Sequence, residues 1–186
     1  HIDELEAHKK EIEREILMIA EPFSAVLELL YTLPGLDKNP MTAIAILSEI
    51  GPDMSVFPSS KHLVSWAGCC PRNDQSNPKV KSRRISRVGC YLKHLLVQVA
   101  NALIKSKKHP EFKERYRRIK SHRGHKKAII AVCKMLLTAI WNMLSKLEPY
   151  NLDGFLEHRP VNEKRVLTKS QALELLRLRG YTITND

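Results

Sequence analysis

The sequence predicts an all-α protein: an N-terminal coiled-coil arm, then a multi-helix globular domain with a helix-hairpin-helix-like element. Apolar residues recur at helical spacing along most of the 186 residues. Helix start and stop signals, such as Asn39-Pro40 and Gly51, bound several of these stretches. No segment alternates apolar and polar residues convincingly, and no internal repeat is visible. We therefore expect an arm at 1–21, a globular domain at 22–150 and a tail with one helix at 151–186.

The arm is predicted from a heptad pattern. Its a and d positions hold Ile2, Leu5, Lys9, Ile12, Ile16 and Ile19, and charged residues fill most other positions. Pro22 is expected to break or kink this helix. About three heptads make a short coiled coil. The alternative is therefore an amphipathic helix that packs on its own domain.

The globular domain has clear helix boundaries. Asn39 is expected to cap a helix that starts at Pro40 and stops before Gly51. A short helix at about 59–67 follows, and 70–84 is predicted to be a loop. Further helices are predicted at about 87–105, through 112–119, at about 126–147 and from residue 168.

The charge indicates a polyanionic partner. A chain with 43% hydrophobic residues at this length buries one ordinary core, and its formal net charge is +11. From Arg72 to Lys134 there are nineteen Lys and Arg against three acids, an excess of sixteen. The basic character therefore belongs to one region. Neutralising phosphates with such cations releases condensed counterions, which favours nucleic acid as the partner.

The cysteines and hydropathy indicate a reduced, intracellular protein without a membrane partner. The four cysteines form no C-x-x-C pair and no disulfide-like spacing. No run approaches the roughly 18 apolar residues of a membrane span, and no signal-peptide core begins the chain. The sequence starts at His1 in the middle of a predicted helix, so we expect a fragment of a longer protein.

The turn Leu33-Pro34-Gly35-Leu36-Asp37 is a candidate phosphate-binding element. In a helix-hairpin-helix, backbone amides at a tight turn and at the next helix start bind phosphate. We expect Gly35 and Lys38 to contact nucleic acid, because a glycine lets the phosphate approach the backbone. Asp37 is unfavourable beside a phosphate. The alternative is a plain turn between two helices.

Two groups of cations are expected to contact nucleic acid. The first comprises Arg72, Lys79, Lys81, Arg83, Arg84, Arg87 and Lys93. The second comprises Arg115, Arg118, Arg123, Lys126 and Lys127. A solvated surface is the usual meaning of a charge run, but it normally mixes both signs.

Ser76 is the candidate nucleophile. A serine in such a loop is ordinarily a turn residue, and Asp74 is the only nearby carboxylate to act as its base. The neighbouring arginines could stabilise charge during attack on a phosphodiester. No carboxylate cluster for Mg²⁺ is visible and no metal ligands are predicted; His122 and His125 are expected to face phosphate or solvent. Trp66 and Trp141 are expected in the core, with base stacking as an alternative for Trp66.

The order of several motifs resembles the C-terminal half of a bacterial insertion-sequence transposase family. That family pairs a RuvC-like DEDD domain with a serine-bearing transposase domain. The resemblance covers about 22–147 and rests on Leu33-Pro34-Gly35, Ile46-Leu47-Ser48-Glu49-Ile50-Gly51, Phe57-Pro58-Ser59, Trp66-Ala67-Gly68, Pro71-Arg72 and Arg84-Ile85-Ser86-Arg87-Val88-Gly89.

The resemblance implies that Ser76 attacks DNA and forms a phosphoserine link. Acidic residues of the RuvC-like domain would hold Mg²⁺, so this chain needs no cofactor of its own. A structured guide RNA would select the DNA, and the coiled coil would join subunits into a homo-oligomer in the bacterial cytoplasm. Without the acidic domain, the chain is expected to bind nucleic acid and to be inactive alone.

Three functions are therefore open. The first is the serine-bearing part of a strand-exchange enzyme. The second is a non-catalytic helical module that binds nucleic acid, and the third is a dimerisation scaffold whose basic surface is incidental. The motif from Arg84 to Gly89 favours the first, because a plain hairpin module does not need it.

Overall fold

The computed structural model describes residues 1–37, 39–70, 74–76, 79–82 and 90–151. The helices are α1 (Ile2–Ala20), α2 (Ser24–Tyr31), α3 (Pro40–Ile50), α4 (Ser60–Trp66), α5 (Cys90–Lys105), α6 (Pro110–Arg123) and α7 (His125–Lys146). Short 3-10 turns lie at Glu21–Phe23 and Met54–Val56. The prediction of an all-α fold is confirmed. The tail helix predicted from Thr168 lies outside the described residues.

The chain divides into two units, His1–Tyr150 and Asn151–Asp186. The first unit is built around α7, which packs against α2, α4, α5 and α6. Val132, Leu136 and Ile140 of α7 are fully buried. Leu92 and Leu96 of α5 are buried in the same core. The apolar periodicity of these two helices is therefore what holds the unit together.

Helix α7 differs from the expectation that no part of the chain approaches a membrane span in length and hydropathy. Within the described part of the chain it is the one helix long and apolar enough to cross a membrane. Much of that length is buried against other helices of the unit, as in the central helix of a globular core. Lys134 interrupts the apolar residues near the middle of the helix, so the sequence shows no unbroken apolar run of membrane-spanning length.

The boundaries of α3 follow from local chemistry, as predicted. The Asn39 side chain accepts a hydrogen bond of 3.2 Å from the Thr42 amide, and Pro40 occupies the first turn. Gly51 ends the helix with a positive φ of 74°. The cap satisfies one of the amides that a helix start leaves without a partner.

The predicted loop at 70–84 contains an antiparallel pair of short strands, β1 (Asp74–Ser76) and β2 (Lys79–Ser82). Asp74 pairs with Ser82, Gln75 with Val80 and Ser76 with Lys79. The register shift after Asp74 leaves Lys81 as an extra residue in β2. The expectation of a loop without strands was wrong here, because strands of three and four residues are too short for a periodic signal.

Helix α1 presents its apolar residues to solvent. Ile2 and Ile19 are both 75% exposed, and Leu5 and Ile12 are also exposed. Only Ala20 of this helix is buried. After α1, Pro22 lies in a 3-10 turn that leads into α2, as expected from a proline that ends or kinks the first helix. The described structure thus gives no support to the alternative in which α1 packs on its own domain.

Candidate nucleic-acid interface

The hairpin of β1 and β2 brings Ser76 next to a lysine. Their pairing sets Ser76 directly opposite Lys79 in the antiparallel ladder. Residues opposed in this way have Cα atoms about 4.5–5.5 Å apart. The side chains of both strands, Lys81 included, lie outside the described residues, as do Lys38, Arg72, Arg83, Arg84 and Arg87. Their predicted contacts with nucleic acid stay predictions.

Gly35 has a packing role. Its φ is +89°, and an added Cβ would lie 2.8 Å from Val99 Cγ1 and 3.2 Å from Leu103 Cγ on α5. Leu33 and Leu36 on either side of the turn are fully buried. The Leu36 amide donates to the Leu33 carbonyl at 3.1 Å, so the turn itself uses this donor. The glycine is therefore required to bring the turn against α5, and its predicted phosphate contact is not tested.

Helices α6 and α7 meet at a strongly basic corner. We define the α6–α7 corner as Arg117, Arg118, Lys120, Arg123, Lys126 and Lys127, all of which are exposed. Gly124, with a φ of +78°, separates the two helices and caps α7 without a side-chain hydrogen bond. Within 90–151 the structure records no ion pair for any of these cations. Such a concentration of solvated positive charge attracts a polyanion at long range.

A polar contact fastens the two helices at this corner. The Tyr116 hydroxyl lies 2.8 Å from His125 Nδ1, and the two rings meet edge to face at 5.8 Å. Lys120 Nζ stands 5.5 Å from the centre of the Tyr116 ring, within the range of a cation–π interaction. The contact holds the cations of both helices on a fixed frame. No sequence pattern indicated this contact, because residues 116 and 125 belong to different helices.

Two of the predicted contact residues are only half exposed. Arg115 on α6 is partly buried, as is Lys93 on α5. Lys93 lies near two buried thiols: burial raises the pKa of Cys69 to about 11 and of Cys133 to about 12, while Lys93 acts in the opposite direction. Among the members of the predicted set whose side chains the structure describes, the more accessible are Arg118, Arg123, Lys126 and Lys127.

The two tryptophans differ in their surroundings. Trp141 Nε1 donates to the Phe57 carbonyl at 2.9 Å, which ties α7 to the turn before α4. Trp66 contacts Phe57 edge to face at 5.6 Å, yet it is 45% exposed. The expectation that Trp66 lies in the core was therefore wrong, because its side chain is about half exposed although it contacts Phe57.

The chain is similar to proteins that act on DNA. A sequence model of the Transposase IS116/IS110/IS902 family matches residues 27–117, from α2 through the hairpin into α6. Among curated proteins, the pilin gene-inverting protein of Moraxella bovis is 30% identical over 125 residues. The protein of the same name from Moraxella lacunata is 29% identical over 125 residues. Each alignment covers 66% of this chain and 38% of the relative, so the chain matches well under half of either protein.

Proposed function

We propose that this chain is the serine-bearing part of a DNA transposase or recombinase of the family that its sequence resembles. The observation that carries this proposal is the match over 27–117, which includes the hairpin with Ser76 and the start of the basic corner. The relatives are named for the inversion of a pilin gene, a reaction that breaks and rejoins DNA strands. The exposed cations of the α6–α7 corner support a DNA partner independently of that match.

In this proposal Ser76 is the nucleophile. Its hydroxyl loses a proton to a base and forms a bond to phosphorus, while the bond from phosphorus to a sugar oxygen breaks. The leaving sugar oxygen takes up a proton, and the strand stays attached as a phosphoserine ester. Lys79, directly opposite in the ladder, supplies a positive charge beside the developing negative charge on phosphate.

In this proposal the magnesium ligands of the intact enzyme lie in another domain. Among the described residues, no group of three or more His, Cys, Asp or Glu side chains could hold a metal ion. We propose that carboxylates of a RuvC-like domain hold Mg²⁺, which would polarise the phosphate that Ser76 attacks. The chain described here would then bind nucleic acid and orient the serine.

We further propose a structured guide RNA and a homo-oligomer as partners. The cations are numerous enough for more than one nucleic-acid contact, since six lie in the α6–α7 corner and five more occur in the sequence from 79 to 87. The exposed apolar stripe on α1 supports a coiled coil between copies. Each serine would then complete a site with the acidic domain of another copy.

The experiment for the catalytic proposal uses the full-length gene product with its DNA substrate. Ser76→Ala is expected to abolish covalent protein–DNA adducts, detected as a shifted band after denaturation. Ser82→Ala is the matched control on the partner strand and is expected to retain them. Adducts that persist in Ser76→Ala would show that another residue is the nucleophile.

A non-catalytic nucleic-acid-binding module is the second candidate function. The exposed corner favours it as much as it favours the first, because binding needs only the cations. The same experiment separates the two functions. A module without catalysis binds DNA in all variants and forms no adduct even in the unmodified full-length protein.

A further inference from the structure

The aromatic ring of Tyr91, at the start of α5, is exposed to solvent. Tyr91 is 73% exposed, the most exposed of the described aromatic side chains. The next residue, Leu92, is fully buried, so α5 turns its apolar face to the core and Tyr91 away from it. Such a ring offers a flat apolar face on which another planar group can stack.

The ring borders a groove between α3 and α5. The groove has a volume of about 360 Å³ and is open to solvent, and its lining is mostly apolar. Its lining residues are Ala45, Ser48 and Glu49 of α3 and Tyr91, His94 and Leu95 of α5. The volume is within the range of sites for small planar ligands.

Cations are tethered close to this ring by the chain itself. Arg87 precedes Tyr91 by four residues and Arg84 by seven. A chain extends at most about 3.6 Å per residue, so the two Cα atoms of Arg87 and Tyr91 lie within about 14 Å of one another. A nucleic acid that contacts these arginines therefore passes within a few nucleotides of the ring.

The groove suits a base better than a phosphate. Glu49 is exposed in its lining, and a carboxylate repels phosphate but accepts hydrogen bonds from the amino groups of bases. The Ser48 hydroxyl donates to the Ala45 carbonyl at 2.9 Å, so its proton is already used. An occupant with a planar face for Tyr91 and an amino edge for Glu49 matches both groups.

We propose that this groove binds an unpaired nucleobase, stacked on Tyr91 with its amino edge toward Glu49. This inference rests on the proposed binding of nucleic acid and specifies the substrate as single-stranded DNA or RNA. Stacking accepts every base, whereas the Glu49 carboxylate favours a base with an amino group, because cytosine offers two N–H donors on N4 and thymine only the single N3–H. A duplex has no free base to insert and gains nothing from the groove.

The test measures binding of the full chain to short fluorescent oligo(dC), oligo(dT) and a duplex by anisotropy. Tyr91→Ala is expected to weaken oligo(dC) binding about 5- to 150-fold and to leave duplex binding unchanged, while Tyr91→Phe retains binding. Val56→Ala is the control, since Val56 is 70% exposed and does not line the groove. Glu49→Ala is expected to remove the preference for oligo(dC) over oligo(dT).

Equal binding of oligo(dC) by Tyr91→Ala and the unmodified chain, with equal helix content by circular dichroism, would overturn the inference. A chain that binds only the duplex would overturn it as well. Neither result touches the covalent chemistry of Ser76, which the adduct experiment decides separately. A protein partner in the groove would leave all three oligonucleotide affinities unaltered by Tyr91→Ala.

Discussion

Gly35 shows how a single residue can serve packing where its motif indicates ligand binding. The turn reads as a phosphate-binding hairpin, yet its glycine meets Val99 and Leu103 of α5. Both functions require the absence of a side chain, so the sequence motif does not separate them. The two are distinguished by what a substitution changes, either stability or affinity.

We predict that Gly35→Ala destabilises the protein more than Gly51→Ala does. A non-glycine residue in the left-handed region costs about 1–2 kcal/mol, and overpacking against α5 adds about 1–3 kcal/mol. Gly51 has a similar φ of +74°, but nothing lies within 4 Å of its added Cβ, so only the first cost applies. The free energies of unfolding in urea, measured for both variants, check this prediction.

Similar unfolding free energies for the two alanine variants would contradict the packing role of Gly35. Nucleic-acid affinity is then the second readout. If Gly35→Ala is stable but binds more weakly, the hairpin contacts phosphate as the motif indicates. Gly51→Ala is expected to bind like the unmodified chain in either case.

At the scale of elements, two helix ends form the accessible basic surface. From Arg117 to the end of α7 the two helices carry no acidic residue, and Glu114 of α6 lies just before this stretch. The Tyr116–His125 contact joins the two helices. Cations on a rigid corner lose little side-chain and backbone freedom on binding compared with cations on a free loop. The corner is thus well suited to position a backbone, while sequence reading depends on other residues.

We predict that Lys126→Gln with Lys127→Gln flattens the salt dependence of DNA binding. Each lost phosphate contact lowers the slope of log K against log salt by about 0.9. The control is Lys10→Gln with Arg14→Gln, which removes the same charge from exposed positions of α1. Affinities measured over a range of salt concentrations give both slopes. An equal change of slope in the two variants would mean that net charge, and not the corner, determines binding.

At the scale of the whole molecule, α1 contrasts with the rest of the first unit. The core around α7 is buried, whereas α1 leaves most of its heptad residues exposed and only Ile16 among them is partly buried. An isolated helix of this length is marginal in water and gains stability mainly from a partner surface. Burial of the stripe of Leu5 and Ile12 would stabilise α1, and in the proposed homo-oligomer a second copy of the same helix would bury it with a matching heptad.

We predict that Leu5→Asp with Ile12→Asp shifts the protein to a smaller oligomer or a monomer. Charges at core positions of a coiled coil lose the burial that holds the helices together. Ala7→Asp with Leu17→Asp adds the same charge to α1 away from the predicted stripe and is expected to keep the oligomer. The oligomeric state of each variant is measured as its molar mass by light scattering. The same mass for both variants, or a monomeric unmodified chain, would contradict a coiled coil.

Local signals were sufficient for the helices and for the region of charge. The cap at Asn39, the stop at Gly51 and the apolar periodicity of α7 act within a few residues, so the pattern shows them directly. The short pairing of β1 with β2 was not predictable in this way, because a bulged ladder of a few residues depends on which strand meets which. For Ser76, the order of motifs indicated the role, and its chemistry stays a prediction.

Composition and periodicity alone established an all-α chain with its cations in one stretch, because helix propensity and charge are properties of neighbours in sequence. Tertiary structure decided which of those residues meet. It set Gly35 against α5, joined Tyr116 to His125 across a helix corner and left Tyr91 beside an open groove. Contacts between residues distant in sequence depend on how helices pack, and packing is determined by the whole core at once.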